Sequence, residues 1–164
     1  MPLAQDGHRV TGLDRSEAML ERARARAAAA GTDVRFVAGD MRDFSFDEPF
    51  ALVLLLFNTF LLLEPGDRFA CLARVREHLA PDGRFALHVF QPDPAKIAGQ
   101  DGALVEEGSF DDPTTGSRVT LFSSGHATVD RTTFTFRYDE LAADGVLRRW
   151  ERTATLHYLY RREL

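Results

Sequence analysis

The sequence predicts an α/β fold, a parallel sheet with helices on both faces, followed by an antiparallel meander. Three observations carry this. Short apolar segments alternate with amphipathic ones through the first half of the chain. One of them, residues 50–57 (FALVLLLF), is apolar at every position, which suits a strand buried on both faces of a parallel sheet. After Gln91 the pattern changes to period-two strands separated by turn residues.

The elements follow in order. Residues 8–13 (HRVTGL) read as a strand. Ser16 is a good N-cap, Glu17 suits a first turn, and Met19, Ala23 and Ala27 form the apolar stripe of a helix that Gly31 ends. Residues 34–38 (VRFVA) are the second strand and residues 50–57 the third. Asp67 is placed to cap a helix carrying Phe69, Leu72, Val75 and Leu79 at three- to four-residue spacing. Pro81, Asp82 and Gly83 read as a turn, and residues 84–90 (RFALHVF) as the fourth strand. This β-α-β-α-β order implies right-handed crossovers.

Pro92, Pro94, Gly99 and Gly102 mark a linker. Strands are expected over residues 118–123, 128–138 and 146–160, with Asp144 and Gly145 as a hairpin turn. Phe134, Phe136 and Tyr138 alternate with Thr133, Thr135 and Arg137, and Trp150, Ala154, Leu156, Tyr158 and Tyr160 share one face. Residues 1–92 thus form the α/β core, and residues 93–164 a linker and meander within the same domain.

Composition narrows the function. The chain has 164 residues, 45% of them hydrophobic and 27% charged, as in a soluble globular domain. Its longest apolar run is too short and too interrupted to span a membrane. No signal peptide is evident, and cytoplasmic residence is the default. A net charge of −5 disfavours nucleic acid as the main partner. The basic cluster Arg148, Arg149, Arg152, Arg161 and Arg162 reads as a solvated strand face. Cys71 is the only cysteine, so neither an internal disulfide nor a zinc motif is expected.

Ligands of open α/β sheets bind beyond the carboxyl ends of the strands. Asp14 follows the first strand, Gly39, Asp40 and Met41 the second, Asn58 and Thr59 the third, Gln91 and Pro92 the fourth. A carboxylate at Asp14 can accept hydrogen bonds from the vicinal hydroxyls of a ribose, and serves equally as a helix-capping aspartate. Asp40 can accept from an exocyclic amine. The Met41 amide can donate to a ring nitrogen while its thioether packs on the ring face. Either could be an ordinary loop or core residue. Their joint occurrence at adjacent strand ends favours adenosine.

At these residues the sequence resembles the class I S-adenosylmethionine-dependent methyltransferases of the small-molecule type. LDRSEAML (residues 13–20), FVAGDMRDF (36–44), FALVLLLFNTFLLL (50–63) and LAPDGRFALHVF (79–90) look like their successive motifs. The resemblance covers residues 8–92 and implies a Rossmann-like sheet, with S-adenosylmethionine as cofactor and a small-molecule N or O acceptor. It implies that Asp14, with Arg15 beside it, holds the ribose, that Asp40 and Met41 bracket the adenine, and that Phe57 and Asn58 line the site near the methionine part. The meander resembles the substrate-binding insert of the family. His88 and His126 are the candidate bases should the acceptor lose a proton, although a histidine on a strand is ordinarily a packing residue. Tyr138, Tyr158 and Tyr160 likewise read first as packing.

The family's glycine-rich loop has no counterpart, because no two of the 12 glycines are spaced G-x-G. Residues 1–7 resemble the tail of the helix that follows that loop. The expectation is therefore a chain lacking the central strand and the last strands of the family, with weak binding of S-adenosylmethionine. Three remedies for the missing strand present themselves: direct pairing of its neighbours, a homodimer through unpaired strands, or a lost N-terminal extension. Two other functions compete. A nicotinamide-dependent enzyme would also place an acid after the strand but wants a catalytic Tyr/Lys pair, and Lys96 is the only lysine. A non-catalytic chain would act through a partner.

Overall fold

The computed structural model describes residues 2–161 except Gln100, Thr114 and Ala143, and leaves the Lys96 side chain aside. Arg162 of the basic cluster lies outside the described residues. The chain divides into two compact units, Met1–Val53 with Gly66–Phe85, and Leu54–Pro65 with Ala86–Leu164.

In the first unit a short helix, α1 (Pro2–Gln5), precedes β1 (Val10–Asp14), α2 (Glu17–Ala29) and β2 (Val34–Ala38). β1 and β2 pair in parallel, from Val10 opposite Val34 to Asp14 opposite Ala38. Ser16 caps α2 as expected, its side chain accepting the Met19 N–H at 3.3 Å. The buried stripe differs from the expected one: Leu20 and Ala27 are buried, and Met19 is 53% exposed. Steps of four residues drift about 40° around a helix, whereas i, i+3, i+7 spacing keeps to one side. Gly31, at φ +61°, ends the helix in the left-handed conformation.

The helix α3 (Arg68–His78) also turns differently from the expectation. It buries Arg68, Cys71, Val75 and His78, while Phe69 is 79% exposed. Asp67 makes no capping hydrogen bond. The long loop after β2 is held instead by aromatic packing. The Phe46 ring meets Phe50 edge-on at 5.3 Å, and Phe44 lies 4.9 Å from the His78 ring. His78 Nε2 accepts the Phe46 N–H at 3.0 Å, and its Nδ1 lies 2.8 Å from the Arg74 carbonyl oxygen.

β3 (Phe50–Leu55) and β4 (Leu79–Leu87) form a second two-stranded sheet, separate from β1 and β2. Among the described residues β1 and β3 do not pair, so direct pairing of these neighbours is not realised. This corrects the picture of a strand buried on both faces: Leu52 is 46% and Leu54 39% exposed. Pro81, Asp82 and Gly83 lie within β4 rather than in a turn. A Cβ at Gly83 would come 2.8 Å from the Phe50 carbonyl oxygen and 2.9 Å from that of Ala80, both backbone atoms that cannot step aside.

The second unit carries four antiparallel strands in the order β5 (Val105–Asp111), β6 (Arg118–Ala127), β7 (Arg131–Leu141), β8 (Leu147–His157). The last three answer to the expected meander. β5 does not appear in the sequence pattern, because VEEGSFD is acidic, contains glycine and bulges between Glu106 and Gly108. In the hairpin between β7 and β8, Gly145 has φ +81° and the Asp144 carboxylate accepts the Val146 N–H at 3.0 Å. The expected linker contains a short helix, α4 (Pro94–Ala98), so Lys96 sits on a helix and not in a loop. A 3-10 turn, Thr59–Leu62, buries Phe60 and Leu61 and packs on β8.

Gly83→Ala is expected to destabilise the protein by about 1–3 kcal/mol through overpacking. Gly66→Ala, whose Cβ would meet nothing within 4 Å, should be nearly neutral. Urea midpoints of the two variants compare them directly, and equal midpoints would contradict the close backbone approach at Gly83.

Candidate functional site

The tips of β1 and β2 are joined by a hydrogen bond from the Gly39 N–H to the Asp14 carbonyl at 3.0 Å. The parallel register thus brings Asp14, Arg15 and Asp40 together. The Asp14 carboxylate is exposed, and its Oδ1 accepts the Ser16 N–H at 2.8 Å. One oxygen of the carboxylate is thus spent at the start of α2, and the other, Oδ2, has no protein partner among the described residues.

Asp40 is far more committed. Its Oδ1 accepts the Arg42 N–H at 2.9 Å and the Arg42 Nε–H at 3.0 Å, and its Oδ2 accepts Arg42 Nη2 at 2.7 Å. Arg15 Nη1 stands 3.5 Å from the same Oδ2. Arg42 also donates through Nη1 to Asp67 Oδ2 at 2.6 Å. A four-member chain of alternating charge, Arg15, Asp40, Arg42 and Asp67, thereby ties the loop after β2 to the start of α3. The bidentate Arg42 hydrogen bonds hold the Asp40 carboxyl down at about 2, against an ordinary 3.8. Met41, between the two, is half-buried. Burial, with a smaller contribution from the Asp40 charge, pushes the Cys71 thiol up to about 11, which disfavours the thiolate.

Phe57 and Asn58 belong to the other unit. Both adopt left-handed backbone, with φ 54° and 63°. A non-glycine residue there costs about 1–2 kcal/mol, less for asparagine. His88, just beyond β4, holds them. The Phe57 N–H donates to His88 Nδ1 at 3.2 Å, the Asn58 N–H to the His88 carbonyl at 3.1 Å, and the His88 N–H to the Leu55 carbonyl at 3.0 Å. Asn58 Oδ1 accepts the Phe90 N–H at 2.7 Å. The Asn58 amide oxygen is thus spent on backbone, while Phe57, 80% exposed, lies with its ring edge-on to His88.

The remaining candidates are engaged in packing. The His126 ring occupies the place where a Cβ on Gly102 would stand. Tyr138 stacks on Trp150 at 5.5 Å, Tyr158 is buried against Phe90, and Tyr160 donates to the Val129 carbonyl. In the basic cluster, Arg149 donates twice to Asp139, at 2.7 Å each. Sequence reasoning missed Arg42 and took Asp67 for a helix cap alone. The only signal for Arg42 was its position two residues after Asp40. Among the described residues no group of three His, Cys, Asp or Glu side chains can hold a metal, and no helix is long and apolar enough to cross a membrane.

Comparison with known proteins bears on this geometry. A family model described as a methyltransferase domain matches residues 1–83. A carboxy-S-adenosyl-L-methionine synthase of Klebsiella pneumoniae is 40% identical over 87 residues, 52% of this chain and 34% of that protein. A cypemycin N-terminal methyltransferase of a Streptomyces species is 36% identical over 107 residues, 63% of this chain and 42% of its own length. Among solved structures, an S-adenosylmethionine-bound amino pentose methyltransferase of Micromonospora echinaspora is 28% identical with a TM-score of 0.70, covering 94% of this chain and 61% of that one. An S-adenosylmethionine-dependent methyltransferase of Clostridium acetobutylicum reaches a TM-score of 0.78 at 14% identity over 98% of this chain and 62% of its own, a likeness of fold alone. The chain thus spans less than two thirds of these proteins.

The Asp40 network makes a pH prediction. A carboxyl lowered from 3.8 to about 2 adds stability that is complete above the ordinary value and lost as the pH falls through 2. Asp40→Asn is expected to lower the urea midpoint at neutral pH, and the difference from the unmodified protein should close on approaching about pH 2. A gap that persists unchanged in acid would assign the effect to packing.

Proposed function

This chain belongs to the methyltransferase domain family, and from that premise we propose that it binds S-adenosylmethionine and transfers the methyl group to a nitrogen or oxygen of a small molecule. One observation carries the reading: two carboxylates, Asp14 and Asp40, stand at the carboxyl ends of adjacent parallel strands whose tips are hydrogen-bonded. The ribose hydroxyls and adenine amine of the cofactor are donors, and acids in that place complement them.

In this reading Asp14 takes the ribose through its uncommitted Oδ2, with Arg15 beside it. Asp40 receives the adenine amine, and Met41 supplies an amide to the ring and a thioether to its face. Every acceptor direction on Asp40 is already filled, three by Arg42 and the longest by Arg15 at 3.5 Å. The amine therefore exchanges with Arg15, whose side chain is 72% exposed and whose ion pair adds little. Arg42 stays and keeps the carboxylate aimed and ionised. Phe57 and Asn58 serve the methionine part, and the antiparallel sheet receives the acceptor.

When bound, the cofactor supplies an electrophilic methyl for in-line displacement. The task left to the protein is orientation, which can provide most of the acceleration. The names of the cypemycin N-terminal and amino pentose methyltransferases both specify an amino group on the acceptor, which favours nitrogen. Family membership weighs against the nicotinamide reading.

The test is an NMR titration with S-adenosylhomocysteine, which registers weak binding as well as tight. The amides of Arg15, Gly39 and Met41 are expected to shift. Asp14→Asn should weaken the dissociation constant by about tenfold, the loss of one charge-assisted hydrogen bond. Arg15→Ala should leave it unchanged or tighten it. Shifts absent from the ends of β1 and β2 at saturating ligand would overturn the reading.

A further inference from the structure

We infer that His88 is a positioning residue that works through its Nδ1 lone pair and not as a base, setting the left-handed Phe57–Asn58 turn in the shape the cofactor meets. The inference rests on the proposed role of Phe57 and Asn58 at the methionine part of the cofactor.

A neutral imidazole has one donor nitrogen and one acceptor nitrogen. His88 Nδ1 accepts the Phe57 N–H at 3.2 Å, so the proton of the neutral ring resides on Nε2. Nδ1 has spent its lone pair, and Nε2–H is a donor. Neither nitrogen is left to take a proton from an acceptor molecule, which removes His88 from the candidate bases.

Its contribution is to the backbone. The turn at Phe57 and Asn58 directs two successive N–H groups at His88, one to the ring and one to the main-chain carbonyl. Two adjacent non-glycine residues in the left-handed region persist only where the surroundings over-determine them. Here the surroundings are His88 and, from the other side, the Asn58 amide oxygen on the Phe90 N–H. Remove the ring acceptor, and the Phe57 N–H loses its partner while the exposed Phe57 ring loses its edge-on neighbour at 5.9 Å.

Substitution separates lone-pair geometry from basicity. Asparagine carries its oxygen where Nδ1 stands, glutamine carries one a bond farther, and alanine carries none. Three measurements decide. Long-range proton–nitrogen correlation at neutral pH is expected to show the Nε2–H tautomer for His88, and the Nδ1–H tautomer would overturn the inference. The Phe57 amide should exchange slowly in the unmodified protein and in His88→Asn, and at least about tenfold faster in His88→Ala and His88→Gln, the loss of one hydrogen bond. Equal protection in all four would also overturn it. Finally, S-adenosylhomocysteine affinity should survive in His88→Asn and fall about tenfold in the alanine and glutamine variants. An asparagine variant as weak as alanine would show that the ring acts in some other way. Should the unmodified protein bind no S-adenosylhomocysteine, the cofactor reading fails, while tautomer and amide exchange still judge His88.

Discussion

The parallel ladder of β1 and β2, closed at its tip by the hydrogen bond from Gly39 to the Asp14 carbonyl, is what the candidate site depends on. Parallel strands point their carboxyl ends the same way, so each loop leaves from the same edge. Asp14 opposite Ala38 puts the residue after one strand beside the residues after the other. A slip of one residue would turn over the side chains of one strand and offset its acid from that of the other.

Within each unit, side chains hold stretches of irregular backbone. His78 accepts the Phe46 N–H in a loop without regular structure, and His88 accepts the Phe57 N–H in a left-handed turn. Arg42 ties the loop after β2 to Asp67 at the head of α3. The Phe46 N–H is part-buried, where leaving it unsatisfied would be costly, and His78 supplies the partner that no strand or helix does. The electrostatic consequence is concentrated at Asp40, which stays ionised because Arg42 occupies both its oxygens.

Much of this was legible beforehand where one residue type performs one local task. Ser16 caps α2, Gly145 turns the last hairpin, and the period-two alternation of Phe134, Phe136 and Tyr138 marks β7. Reading failed where two periodic patterns fitted one segment. Met19 and Leu20, or Phe69 and Val75, are apolar alike, and only packing shows which side faces inward. It failed also for β5, whose polar composition is strand-like only because β6 supplies its ladder. Arg42 could not be singled out, since an arginine near an aspartate in sequence is commonplace and its bidentate geometry is a matter of three dimensions.

By itself the sequence determined most of the element types, the acids at the strand ends and the family motifs that join them, because these rest on neighbours along the chain. Tertiary structure decided the rest. It left β1 and β3 in separate ladders and left Leu52 and Leu54 of the apolar run partly exposed. It filled the acceptor directions of Asp40 and made His88 an acceptor of a main-chain hydrogen bond rather than a free base. Those outcomes turn on which donor reaches which lone pair, and that is settled by residues far apart in sequence.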